Sequence, residues 1–334
     1  MTDAPLISVL MPAYNHGRYV AASVRSVLSQ DWPRIELVAI DDGSSDDTWD
    51  VLQSLRAECE ARCERVEMQR QENSGTCATI NRLLAAAHGE HVGILASDDM
   101  YLPGALRALE KPLAADSGVG LAVGQNRLVD DEGRRCYWDA ERNTVYDESK
   151  AAFRTLNEHM ASERGVSGDS PEFGSYAELL HTNHIANGAL IRRTCLDSIE
   201  PCSSQTPLED WWIILQLSKV ARMVSIDVPT FAYRWHAANT VRQTARMNGY
   251  FLRNMAAEES LLLRRRDWPR LRQYLAAHGQ LRKSFGLPGV FRRQIYVTRQ
   301  SRIALYELPG VEFALRRARG EEKDEDPSDV GRPD

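Results

Sequence analysis

Three short polar clusters punctuate the first hundred residues, each at the end of an apolar run: Ala13-Tyr14-Asn15, Asp41-Asp42-Gly43-Ser44 and Ser97-Asp98-Asp99. Adjacent carboxylates such as Asp98 and Asp99 are costly unless a cation neutralises them. Divalent ions held by only one or two protein carboxylates complete their shells with phosphate oxygens, so the pair points to Mg²⁺ or Mn²⁺ on a phosphorylated ligand. Aspartates also favour turns and helix starts, which explains either acidic cluster taken alone. Asp41, however, closes an apolar run instead of opening a helix, leaving it free to accept a hydrogen bond from a ligand. Two acidic strand ends on one rim, 57 residues apart, are harder to assign to turn chemistry.

The elements that must position these clusters alternate regularly. Leu6 to Met11 is a short apolar run ended by Pro12, the pattern of a buried parallel strand. Arg18 to Gln30 places Val20, Val24, Val27 and Leu28 on one helical stripe. Ile35 to Ile40 reads as a second strand. Ser44 and Asp47 then have capping-box spacing for one helix carrying Trp49, Leu52 and Leu55. Val66 to Arg70 and His91 to Ala96 read as further strands, with a helix from Gly75 to Ala87 between them. Strand–helix units of this length imply right-handed crossovers and a doubly wound α/β sheet, with ligands beyond the carboxyl ends of the strands. After residue 125 the alternation loosens. Residues 126–146 suggest a hairpin and 150–164 a helix. Ile185 to Ile191 suggests a strand with Gly188 where another group approaches the backbone. Trp211 to Lys219 reads as an apolar helix, Met223 to Trp235 as one or two strands, and the chain from Asn248 onward as helical.

Composition narrows the class. The chain has 334 residues, 43% hydrophobic and 26% charged, typical of globular proteins. No apolar run approaches a membrane span, and the start lacks the pattern of a secretory signal. The six cysteines read as reduced cytosolic thiols. Of the net charge of -6, residues 320–334 contribute -5 (seven acids against Lys323 and Arg332), so the body is close to neutral. With neither a basic body nor a nucleic-acid-binding motif, a nucleic-acid partner is not expected. The acidic tail has almost no apolar side chain to repay its ordering entropy and is expected to be disordered. Residues 280–306 carry six Lys/Arg and no acid, interleaved with Phe285, Phe291 and Tyr296. This stretch reads either as a partly solvated helical appendage or as a peripheral membrane contact.

Taken in order, the motifs resemble glycosyltransferase family 2. The opening Ile7 to Asn15 with Tyr19, Ser26 and Gln30 is similar to the family's first strand and helix. So are Val38 to Asp46, Asn73-Ser74-Gly75 with Asn81, and the Asp-x-Asp region, present here as Ser97-Asp98-Asp99. The serine stands where the family often has aspartate. Leu208-Glu209-Asp210-Trp211 resembles the Glu-Asp motif before an acceptor-side helix, and Tyr233 to Asn239 the Tyr-Arg-x-His-x-x-Asn segment. The resemblance covers residues 5–245.

It implies a GT-A fold, a Rossmann-like and mostly parallel central sheet flanked by helices. The expected organisation is a domain over residues 1–245, with a nucleotide-binding half (1–125) and an acceptor half (126–245). A helical C-terminal extension (246–319) and the acidic tail (320–334) follow. The implied activity is inverting transfer of a hexosyl or N-acetylhexosaminyl group from a nucleotide diphosphate sugar, UDP-linked, to a glycan or lipid-linked acceptor. By the same resemblance Pro12, Ala13, Tyr14 and Asn15 hold the base, and Asp41 accepts from its ring N–H. Asn73, Gly75 and Asn81 complete the nucleotide site. Asp98 contacts ribose or the metal shell, and Asp99 ligates Mn²⁺ or Mg²⁺. Asp210 is the general base and Glu209 contacts the acceptor. His236 is either a ligand of the metal or a structural residue, and Trp211 either stacks on acceptor sugar or packs the core. His181 and His184 are read as structural. The implied location is cytoplasmic, at the inner face of the membrane if 280–306 binds lipid.

Three rivals are weaker. A nicotinamide-dependent oxidoreductase needs a Gly-rich turn after the first strand, where this chain has Pro12-Ala13-Tyr14-Asn15. A nucleotidyltransferase lacks its phosphate loop here for the same reason. A non-catalytic nucleotide-sugar-binding regulator would tolerate loss of Asp99 or Asp210, and both are present.

Overall fold

The computed structural model describes residues 4–164, 168–180, 183–185 and 187–284. The chain divides into two compact units at residues 239 and 240.

In the first unit β1 (Ile7–Ala13), α1 (Gly17–Leu28), β2 (Ile35–Asp41), α2 (Thr48–Ser54), α3 (Arg56–Arg62), β3 (Arg65–Arg70), α4 (Thr76–Ala86) and β4 (His91–Ile94) follow the alternation read from sequence. Then come β5 (Met100–Tyr101), α5 (Ala105–Ala115), β6 (Val119–Val129), β7 (Tyr137–Trp138), β8 (Thr144–Val145), α6 (Leu156–Arg164) and α7 (Tyr176–Leu179). The unit closes with β9 (Leu190–Arg192), α8 (Arg193–Leu196), α9 (Glu209–Leu217) and β10 (Arg222–Arg234). Eight strands form one sheet in the order β3-β2-β1-β4-β9-β6-β10-β5, with β7 and β8 a separate ribbon. Strands β1 to β4, β6 and β10 run one way; β9 and β5 run against them. The central strands are apolar on both faces because helices cover both, which is why β1 and β2 read as unbroken hydrophobic runs.

Several boundaries differ from the sequence reading. Pro12 does not end β1. Leu10 C=O accepts Leu95 N–H on the β4 side, and Pro12 addresses that same side beyond β4's last residue. Its missing N–H therefore costs no ladder bond. The expected single helix after Ser44 is two, α2 and α3, meeting at Leu55. Asp47 is the N-cap residue without a side-chain bond, while Ser44 turns its hydroxyl onto Asp41. The hairpin expected over 126–146 is a long β6, a turn at Asp130–Gly133 and the small ribbon. The expected 150–164 helix begins at Leu156, and Met223 to Trp235 is the single strand β10. Gly188 lies before β9, at φ +79°, and a Cβ there would sit 2.1 Å from the Phe231 ring. Among the described residues, which include all six cysteines, there is no disulfide.

In the second unit α10 (Thr244–Arg265) and α11 (Trp268–Ser284) form a helical hairpin. Arg266, in the left-handed region at φ 54°, caps α10 by donating its N–H to the last turn. Buried Tyr274 of α11 donates its hydroxyl to Met255 C=O of α10 at 3.1 Å. Most of the basic stretch 280–306 and all of the acidic tail lie outside the described residues. No described helix is long and apolar enough to cross a membrane.

Candidate active site

The carboxyl ends of β1, β2 and β4 bring the three polar clusters to one rim. Asn15, in the left-handed region at φ 54°, donates its N–H to Ser44 Oγ at 2.9 Å and accepts Ser45 N–H at 2.8 Å. This pins the first cluster to the second and leaves Tyr14 half exposed. Asp41 is not free, as the sequence suggested. Its fully buried carboxylate accepts the Ser44 hydroxyl and pairs with Arg70 Nε at 3.1 Å. Asp42, which carried no sequence-level role, organises the neighbouring loop by accepting Ser74 N–H (2.8 Å), Gly75 N–H (2.9 Å) and the Gln71 amide (2.7 Å). Asn73 and Gly75 are exposed beside it. Asn81 faces elsewhere: its amide donates to Cys202 C=O at 2.8 Å, so it braces the segment before α9.

The spacing Tyr-Arg-x-His-x-x-Asn at the end of β10 has a structural reason. Arg234 N–H donates to Asp99 Oδ1 at 2.8 Å, and its buried guanidinium donates to the carbonyls of Asp98, Asp130 and Asp131 at 2.7, 3.0 and 3.0 Å. Asn239 spans back to His236 N–H and Arg234 C=O, closing the loop. His236 is thereby held with Nε2 3.0 Å from Asp98 Oδ2. On the other side of Asp98 lies His16, a residue the sequence reading passed over, with Nε2 at 3.7 Å. Its Nδ1 is 2.8 Å from buried Ser97 Oγ.

The two adjacent aspartates divide the work. Burial alone raises a carboxyl pKa, yet the His236 hydrogen bond and the nearby imidazoles outweigh it and hold Asp98 below the usual range. Asp99 is pushed well above it, by burial first and then by the charge on Asp98. His16 is held below the ordinary 6.5, chiefly by burial, so its imidazole is neutral at neutral pH. Among the described residues, His16, Asp98 and His236 are the group whose ligand atoms lie within 4.8 Å of one another. Two imidazole nitrogens and an anionic oxygen at that spacing fit one divalent cation. Asp99, the ligand expected from the resemblance, has its Oδ1 engaged by Arg234 N–H of β10 at 2.8 Å.

The second carboxylate pair stands at the start of α9. Asp210 Oδ2 accepts the Asn183 amide at 3.0 Å, and Asn183 was likewise absent from the sequence reading. Glu209 is pushed up to about 8, by burial and then by the charge on Asp210. Asp210 is itself raised by burial, opposed by the N–H of Trp211 and by Asn183. Trp211 is buried with Nε1 donating to Leu179 C=O at 2.8 Å, so it packs the core and presents no stacking face. His184 is buried and paired with Glu178 at 3.0 Å, consistent with a structural role; His181 lies outside the described residues. The Tyr233 hydroxyl is raised by burial first and then by the charges of Asp99, Asp98 and, less, Asp210.

The family model described as Glycosyl transferase family 2 matches residues 8–167, which include the three rim clusters. Residues 8–167 are thus similar to glycosyltransferase family 2. Escherichia coli chondroitin synthase is 34% identical over 129 residues, 39% of this chain and 18% of that protein. The chain spans between 13% and 52% of the length of such curated relatives. The fold is that of GT-A glycosyltransferases. A mannosyltransferase from Pyrobaculum calidifontis, solved with GDP-Man and Mn²⁺, superposes with a TM-score of 0.56 at 14% identity, covering 93% of this chain and 83% of that one. S. aureus TarS 1–349 with UDP-GlcNAc gives 0.51 at 15% identity over 86% and 78%.

Proposed function

We propose that the chain is a family 2 glycosyltransferase of the inverting kind, moving a hexosyl or N-acetylhexosaminyl group from a nucleotide diphosphate sugar to a hydroxyl of a glycan or lipid-linked acceptor. The observation that carries the reading is Asp98 held between two imidazoles on the rim formed by β1, β2 and β4. Asp98, kept ionised between two imidazoles, faces a donor site. Asp210, oriented by Asn183, faces the acceptor side. The nucleotide rests against Pro12 to Asn15 and the loop that Asp42 organises, with Asp41 and Arg70 at its edge. Asp98 and His236, with Asp99 beside them, would hold Mn²⁺ or Mg²⁺, which would supply positive charge for a leaving diphosphate. Asp210 takes the proton of the acceptor hydroxyl as its oxygen attacks the anomeric carbon from the face opposite the leaving group. Glu209, protonated up to about pH 8, hydrogen-bonds the acceptor as donor or acceptor.

Curated relatives with polysaccharide names, such as chondroitin synthase, support an acceptor of the cell-surface glycan class. We place the enzyme in the cytoplasm, where free thiols persist; contact of 280–306 with lipid belongs to the same proposal. The test is release of nucleoside diphosphate from a panel of UDP- and GDP-sugars with Mn²⁺. Turnover of one donor, lost in Asp210→Asn with donor binding retained, is the expected result. Binding without turnover under every acceptor tried would favour a nucleotide-sugar-binding regulator.

A further inference from the structure

Two of the three potential ligands clustered at Asp98 are imidazoles. Ala96 and Ser97 precede Asp98, so that turn offers one anionic oxygen to the cluster, and two imidazoles flank it. We propose that His16 is a third ligand of the divalent cation, and that the two nitrogens make this site favour Mn²⁺ over Mg²⁺. The proposal rests on the metal-assisted reading above and adds a residue and a selectivity to it.

The geometry is that of a ligand in waiting. Donors about 2.1 Å from a common ion lie roughly 3 to 4 Å apart. His16 Nε2 is 3.7 Å from Asp98 Oδ2, and His236 Nε2 is 3.0 Å from the same oxygen. The ring of His16 is fixed from behind: its Nδ1 meets Ser97 Oγ at 2.8 Å, and its backbone N–H donates to Thr48 Oγ1 at 2.8 Å. With Nδ1–H donated to Ser97, the Nε2 lone pair faces Asp98, the outer-shell arrangement that orients metal-bound histidines. The adjacent Gly17 N–H donates to Asp46 Oδ2 at 2.9 Å, so the start of α1 is anchored and His16 has little freedom to swing away. Imidazole nitrogen suits the later first-row ions and is poorly matched to Mg²⁺, which demands oxygen. A site with two nitrogens therefore penalises Mg²⁺ more than Mn²⁺.

The test uses the full chain, Mn²⁺ alone and then Mn²⁺ with UDP or GDP, following the electron paramagnetic resonance of the free aqueous ion. Electron spin-echo modulation counts the directly bound imidazole nitrogens. Wild type is expected to show two and to hold Mn²⁺ against a large excess of Mg²⁺. His16→Gln is expected to show one nitrogen and to bind Mn²⁺ at least tenfold more weakly. His16→Asp, which exchanges nitrogen for oxygen, is expected to keep Mn²⁺ and to let Mg²⁺ compete at lower concentration. An unchanged nitrogen count and Mg²⁺ competition in both variants, with Mn²⁺ lost in Asp98→Asn, overturns the His16 assignment and leaves the metal-assisted reading standing. If wild type takes up no Mn²⁺ even with nucleotide, both fall.

Discussion

His236 Nε2 lies 3.0 Å from Asp98 Oδ2 although 138 residues separate them. The contact joins the end of β10 to the turn after β4, and it keeps Asp98 ionised in a buried setting that would otherwise favour its protonation. The neighbouring Asp99 is driven the other way, by burial and then by the charge on Asp98.

The two aspartates are accordingly predicted to separate by substitution. Asp98→Asn removes the anionic oxygen between the imidazoles and should abolish Mn²⁺-dependent nucleotide binding. Asp99→Asn preserves an oxygen able to accept Arg234 N–H and should retain that binding to within about threefold, since its effect is a neutral hydrogen bond exchanged for another. Calorimetric titration of UDP or GDP with and without Mn²⁺ checks both. Equal losses in the two variants would contradict the division of roles.

Asn183 is predicted to act on the reaction through Asp210. Asn183→Ala deletes a hydrogen bond to a charged acceptor, worth about 1.5–3 kcal/mol, so kcat should fall roughly ten- to a hundredfold. Because the amide favours the ionised form, its loss should also move the acid limb of the pH–rate profile upward, while KM for the donor stays put. A fall in kcat with an unmoved pH profile would reduce Asn183 to a structural prop.

Glu209 gives the chain a stability that depends on pH with a definite sign. Its folded value of about 8 lies above the ordinary 4.5, so the folded state binds the extra proton between those limits. The contribution is fully present below pH 4.5 and is lost as pH rises through about 8. Glu209→Gln cannot titrate. The melting temperature of wild type relative to that variant should therefore decline from pH 4.5 to 8 and level off beyond. A difference constant across this range would show that Glu209 ionises normally.

Arg234 is predicted to be structural in its guanidinium and functional through what that group holds. Arg234→Ala leaves the carbonyls of Asp98, Asp130 and Asp131 without their shared donor, a cost on the order of 3 kcal/mol. Urea unfolding should register it, and Arg234→Lys, a point donor in place of a planar fork, should recover only part.

The sequence carried the alternation of β1 to β4 and the rim clusters because buried parallel strands and amphipathic helices leave strong local periods. It singled out Asp98, Asp210 and His236 because family motifs preserve residue type at fixed spacing. It did not carry His16, Asn183 or Asp42, whose roles exist only through contacts 82, 27 and 32 residues away in the chain. Nor could adjacent residues be told apart. Whether Asp98 or Asp99 faces the imidazoles, and whether Trp211 faces ligand or core, depends on which way a turn or helix is rotated by its tertiary partners. Arg234 sets the first and the Leu179 carbonyl the second.

The central claim is that the Asp98 side binds donor and Asp210 activates the acceptor. Nucleoside diphosphate release from the preferred donor, measured with acceptor for wild type and Asp210→Asn alongside donor affinity for each, tests it most directly. Donor affinity in Asp210→Asn is expected within about twofold of wild type and turnover reduced by roughly two to four orders of magnitude, the usual worth of a positioned base. Turnover by Asp210→Asn near the wild-type rate, or loss of donor binding in that variant, would contradict it.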